Sequence, residues 1–107
     1  LRTTGIEYIY VDYVGPYEGF YYLVVIDAKS RWAEIKVLRG APDSTLTIHL
    51  LNDVFSSHGD PAVMVSDNAS IFTSTQFQKY CKMNGIKQKH IAPGHPATNR
   101  LAERNVQ

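Results

Sequence analysis

The chain has a single cysteine, Cys81, in 107 residues, so no internal disulfide can form. With no Cys-x-x-Cys pair, the spacing of a zinc ribbon is missing as well. A reducing compartment suits such a sequence. Long apolar runs are also absent. The longest, Phe20 to Ile26, ends at Asp27 after seven residues, against about 20 for a helix that crosses a bilayer, so a soluble protein with no membrane partner is expected. The opening Leu1-Arg2-Thr3-Thr4-Gly5 has neither an initiating Met nor an apolar stretch with a cleavage site. It reads as a piece of a longer chain, and no targeting signal can be read in it. Repeats and low-complexity segments are lacking. A chain of this length buries roughly 60–70% of its accessible surface, enough for one core, so residues 1–107 are expected to form one domain.

Acidic residues nearly vanish from the second part of the sequence. Up to Asp67 there are five basic and nine acidic side chains. From Asn68 onward there are six basic ones (Lys79, Lys82, Lys87, Lys89, Arg100, Arg104) and one acid, Glu103. The net charge of +1 therefore hides a basic half, which suits either a solvated helix face or the electrostatic footprint of a polyanion.

What is there reads as an ordered series of elements. Tyr8–Val14 is aromatic and β-branched apart from Asp12, and Gly15-Pro16 signals a turn. Phe20–Ile26 and Trp32–Val37 read as two more strands, making an antiparallel meander. Asp43 or Ser44 can cap a helix carrying Leu46, Leu50, Leu51, Val54 and Phe55 and closed by His58-Gly59. Ala62–Val65 reads as a buried parallel strand. Thr73 and Gln76 match a capping box for a helix with Phe77, Tyr80 and Cys81, stopped at Asn84-Gly85. Ile86–Ile91 is a weak fifth strand, and Thr98 or Asn99 can cap a last helix. The order predicts an α/β fold: a five-stranded mixed sheet, three antiparallel strands then two parallel ones, with helices on both faces.

Three carboxylates stand out. Asp12 lies inside an apolar strand, where an ionised group needs a cation or hydrogen-bond donors; a partner such as Lys29 or Arg31 is the plain explanation. Asp67 follows a buried strand, the place where ligands gather in parallel sheets, although Asp also turns a chain through its own backbone bonds. Glu103 shares a helix face with Asn99. Other candidates are weaker. Asp27 suits a hairpin end beside Ser30 and Arg31, and Ser66 and Ser70 have no histidine at a triad spacing. His49, His58, His90 and His95 show no metal-ligand spacing. The tyrosines Tyr8, Tyr10, Tyr13, Tyr17, Tyr21 and Tyr22 suit core and sheet surface better than a base-stacking platform.

Thirty-five residues separate Asp67 from Glu103, and with Asp12 this pattern resembles the Asp, Asp, Glu signature of retroviral and retrotransposon integrase catalytic cores. The surrounding words match too: Val11-Asp12-Tyr13-Val14-Gly15-Pro16, Val25-Ile26-Asp27-Ala28-Lys29-Ser30-Arg31-Trp32, His58-Gly59-Asp60-Pro61, Val65-Ser66-Asp67-Asn68, and His95-Pro96-Ala97-Thr98-Asn99 leading into Ala102-Glu103-Arg104. The sequence looks most like the gypsy class of LTR retrotransposons. The resemblance, from about Ile9 to Gln107, implies a ribonuclease H-like fold in which Asp12, Asp67 and Glu103 hold two magnesium or manganese ions. The implied reaction is DNA 3′-end processing followed by strand transfer. It further implies DNA as partner, a homodimer or higher oligomer in the full-length protein, a nuclear site of action and no small-molecule cofactor.

The chemistry of the residues agrees. Two ions about 3.5–4 Å apart can activate the attacking oxygen and stabilise the leaving one at phosphorus, and magnesium prefers hard carboxylate oxygens. Three acids close together repel without metal, so at least one perturbed pKa is expected. Charge and nearness in sequence select Lys79, Lys82, Lys87, Lys89, Asn99, Arg100 and Arg104 as DNA contacts. The pattern departs from the family at Ala69 and Arg100, where glycine is usual, and at Pro93-Gly94, where an aromatic commonly follows the proline. A backbone needing positive φ or close approach of DNA would make side chains costly at 69 and 100, whereas Arg100 can instead add a phosphate contact. Two other readings therefore stand beside the integrase: a domesticated, catalytically silent DNA- or protein-binding module, and a general nuclease of the same fold.

Overall fold

Aromatic and β-branched residues dominate Tyr8–Asp27, and in the computed structural model, which describes residues 7–91, they form two long antiparallel strands. These are β1 (Tyr8–Tyr17) and β2 (Phe20–Asp27), followed by β3 (Ala33–Arg39), α1 (Ser44–His58), β4 (Val63–Ser66), α2 (Ser70–Thr73), α3 (Thr75–Met83) and β5 (Lys87–His90). The strand order is β3-β2-β1-β4-β5. β1 pairs antiparallel with β2 and parallel with β4, β2 antiparallel with β3, and β4 parallel with β5. This is the expected mixed sheet. The helix expected after Thr98 or Asn99 lies outside the described residues.

Alternation along the strands divides the sheet into two faces. Ile9, Val11, Leu23, Val25 and Met64 point to one face and join Leu51, Val54 and Phe55 of α1 and Phe77 and Cys81 of α3 in one core. Gly59 ends α1 with its N–H donating to the Phe55 carbonyl, and Asp43 caps the start, its carboxylate accepting from the Leu46 amide at 2.8 Å. Tyr13 joins the same core from β1 and shares a 2.6 Å hydrogen bond with the buried Thr47 of α1. Burial pushes the Cys81 thiol up to about 12, so the single thiol is a core group, protonated at neutral pH.

Two local expectations are corrected. Gly15-Pro16 does not end the first strand. The strand continues through it by an irregularity between Val14 and Tyr17, and the chain reverses at Glu18 and Gly19 (φ 51° and 86°), the two-residue hairpin turn whose twist suits the strands. Gly15 has φ +118°, and a Cβ there would stand 2.7 Å from the Phe20 carbonyl oxygen. The cap of α3 is Ser74, whose hydroxyl accepts from the Phe77 amide, one residue beyond the expected box. Gln76 turns away and donates to Thr45 at 2.9 Å, and the unexpected turn α2 fills the space before Ser74 and buries Phe72.

Candidate active site

Asp12 sits in the middle of β1, opposite Val24 of β2, and alternation turns it away from the helix-covered face. On the other side of β1 the parallel register pairs Tyr10 with Val65. Carried two residues further, that register sets Asp67, just past the end of β4, alongside Asp12. Neighbouring strands lie about 4.8 Å apart, so two carboxylates 55 positions apart in sequence share one face of the sheet. Their interaction is electrostatic as well as spatial. Burial first, and the negative charge of Asp67 second, hold the Asp12 carboxyl above its ordinary value of 3.8, tempered by the Tyr13 backbone amide. The expected perturbed acid is thus Asp12. Among the described residues neither carboxylate forms an ion pair, so Lys29 and Arg31 do not serve as partners of Asp12.

Asp67 does two things at once. One of its oxygens accepts from the Ala69 amide at 2.9 Å, which is the turn-forming use expected of a plain Asp. That bond fixes the side chain and leaves the other oxygen without a hydrogen bond among the described residues. Ala69 itself has φ −58° and ψ 148°, a conformation open to every L-residue. The backbone at this departure from the family pattern therefore does not demand glycine.

Glu103, Asn99, Arg100 and Arg104 lie outside the described residues. The described chain ends close to Asp67: β5 runs parallel to β4, and the Ile91 amide donates to the Ser66 carbonyl at 2.8 Å. Lys79 and Lys82 are exposed on α3, on the side of the sheet opposite the carboxylates, whereas Lys87 and Lys89 are exposed on β5. Asp27 pairs with Ile9 at the far end of β1. Its carboxylate accepts from the Lys29 amide and from the Ser30 hydroxyl at 2.7 Å, a turn-forming role. Among the described residues no three His, Cys, Asp or Glu side chains converge to hold a metal; of the three acids proposed for that purpose, two are described.

A sheet of this strand order has known counterparts. Residues 6–96 match the sequence model of the integrase core domain. The chain belongs to the integrase core domain family. An uncharacterized protein of Caenorhabditis elegans is 44% identical over 98 residues, covering 92% of this chain and 8% of that protein. The Pro-Pol polyprotein of simian foamy virus type 1 is 32% identical over 99 residues, covering 89% of this chain and 8% of the polyprotein. The chain thus spans less than a tenth of these curated relatives. Among solved structures, the catalytic core domain of BIV integrase superposes with a TM-score of 0.78 at 19% identity, over 94% of this chain and 64% of that one. A chain of the simian T-cell lymphotropic virus intasome gives 0.78 at 21%, over 95% and 37%. The integrase core therefore has the ribonuclease H-like fold expected from its sequence.

Proposed function

We propose that this integrase core carries out divalent-metal-dependent phosphoryl transfer on DNA, the 3′-end processing and strand transfer of DNA integration, with Asp12, Asp67 and Glu103 as its catalytic and metal-holding acids. The observation that carries this reading is the Asp12–Asp67 pair. Two acids, one on β1 and one just past the end of β4, the first raised by burial and by the other's charge and neither offset by a basic side chain among the described residues, leave an electrostatic deficit that a cation relieves. Two hard oxygen donors, one on β1 and one pinned by a backbone amide just past β4, fit magnesium or manganese, which take few protein carboxylates and leave room for water and phosphate oxygens. Divalent ions bound there supply the positive charge that activates an attacking oxygen and stabilises a leaving one.

The chain's own part is to orient and to exclude freedom. The Ala69 amide fixes the Asp67 carboxylate, and the pairing of Asp12 with Val24 of β2 holds Asp12 on its strand. Glu103 is assigned as the third ligand from its place in sequence, separated from Asp67 by thirty-five residues, as in the Asp, Asp, Glu signature. Action on host DNA makes the nucleus the proposed site of work, and a homodimer or higher oligomer of the longer protein the proposed working form. Labelled duplex DNA incubated with the full-length protein and magnesium tests the reaction class. Joined strands support integration chemistry, nicks without joining point to a nuclease of the same fold, and binding without any product points to the silent module.

A further inference from the structure

The sequence Lys87-Gln88-Lys89-His90 alternates, and the fold gives that alternation a meaning. Gln88 and His90 turn to the helix-covered side, where both reach the Phe72 carbonyl oxygen, at 2.9 and 3.3 Å. Lys87 and Lys89 must then point to the opposite face, and both are exposed. They pair in register with Val63 and Val65 of β4, which places them on the face of Asp12 and Asp67. Asp67 follows Val65 by two residues, so its Cα is about 8 Å from that of Lys89 by sheet spacing.

The other described cations on or near the sheet are engaged or distant. Lys36 turns to α1 and bonds Asp53 at 2.8 Å. Arg39, on the opposite edge strand, lies over the Phe20 ring at 5.6 Å. Lys29 and Arg31 occupy the β2–β3 turn at the far end of the carboxylate strand. Among the described residues Lys87 and Lys89 form no ion pair.

We infer that Lys87 and Lys89 form a two-phosphate rail that seats the backbone of a DNA strand beside the carboxylate pair. A polyanion approaching Asp12 and Asp67 meets like charge, and a site that accepts it needs fixed cations on the same face. Residues i and i+2 of a strand stand about 6.7 Å apart on one side, so the two ammonium groups meet successive phosphates of one strand. The assignment separates these two from Lys79 and Lys82 on α3, which charge alone does not. It rests on the DNA reading above and adds where the DNA lies.

The test is the salt dependence of DNA binding, read by fluorescence anisotropy on the full-length protein with a labelled duplex. Removing one lysine–phosphate pairing lowers the slope of log K against log salt by about 0.9. Lys87→Gln/Lys89→Gln is expected to lower it by about 1.8 and to do so equally in an Asp67→Asn background. Lys29→Gln/Arg31→Gln, at the far end of the sheet, is expected to leave it unchanged. Thermal melts of each variant confirm folding. An unchanged slope in the β5 variant, an equal decrease in the turn variant, or a decrease carried by Lys79→Gln/Lys82→Gln instead overturns the rail. Absence of DNA binding by the wild-type protein overturns both proposals, whereas DNA binding with the expected slope change but no strand transfer overturns the catalytic reading alone.

Discussion

Asp12 lies beside Asp67 where the β1–β4 parallel register runs on past Val65, and burial together with the charge of Asp67 holds the Asp12 carboxyl above its ordinary range. The fold maintains this repulsion because the pairing with Val24 of β2 fixes Asp12 on its strand, while the Ala69 amide pins Asp67. Such an arrangement costs stability in the metal-free chain.

Asp12→Asn is therefore expected to stabilise the metal-free domain while abolishing strand transfer. The gain is less than about 1 kcal/mol, since water screens a half-exposed carboxyl, and is read as a rise of a few degrees in melting temperature. The pH dependence has a definite sign. A folded-state value above the ordinary 3.8 means that the folded chain holds a proton the unfolded chain has released. Stability then falls as pH rises from the ordinary value through the raised one and stays lower above it. The wild-type minus Asp12→Asn difference in urea-unfolding free energy isolates this slope from the other acids.

Magnesium is expected to raise the melting temperature of the wild-type protein and to lose that effect in Asp67→Asn. Saturation to 100 times the dissociation constant adds about 2.7 kcal/mol. A calorimetric scan with and without metal reads it, and an equal shift in both proteins would place the ions elsewhere.

Gly15→Ala is expected to cost about 2–4 kcal/mol. Its φ of +118° excludes a side chain, and the added Cβ would press on the Phe20 carbonyl, loosening the β1–β2 hairpin three residues beyond Asp12. Chemical denaturation measures the cost. A neutral result would mean that the strand irregularity relaxes freely.

Ala69→Gly is expected to change strand transfer by less than about twofold and to cost up to about 1 kcal/mol through the unfolded chain's added freedom. The ordinary backbone at Ala69 removes the conformational argument for a silent module at this position. A large gain in strand-transfer rate would show instead that the methyl group obstructs DNA.

Much of this was legible in the residues, for identifiable reasons. Asp43, with Leu51, Val54 and Phe55 at helical spacing, marks α1 because capping and periodicity are local properties. Gly15-Pro16 misled because its turn signal is also local, whereas the Tyr17–Phe20 pairing that carries the strand past it is not. Thr73 and Gln76 offered a capping box, and tertiary contact drew Gln76 to Thr45 instead. The site divides the same way. Spacing and surrounding words singled out Asp12 and Asp67, but their adjacency depends on β1 lying next to β4, which no local pattern encodes. The separation of Lys87 and Lys89 from Lys79 and Lys82 likewise appears only once strand and helix take opposite sides of the sheet.

The most direct test of the metal-dependent acid triad is a strand-transfer reversal assay, in which the full-length protein reseals a branched DNA substrate in magnesium or manganese, run beside Asp12→Asn, Asp67→Asn and Glu103→Gln. The account predicts product that requires the metal and disappears in each of the three variants while their folding is retained. Metal-dependent product that survives in any of the three would contradict that residue's assignment, and no product from the folded wild-type protein would contradict the catalytic reading itself.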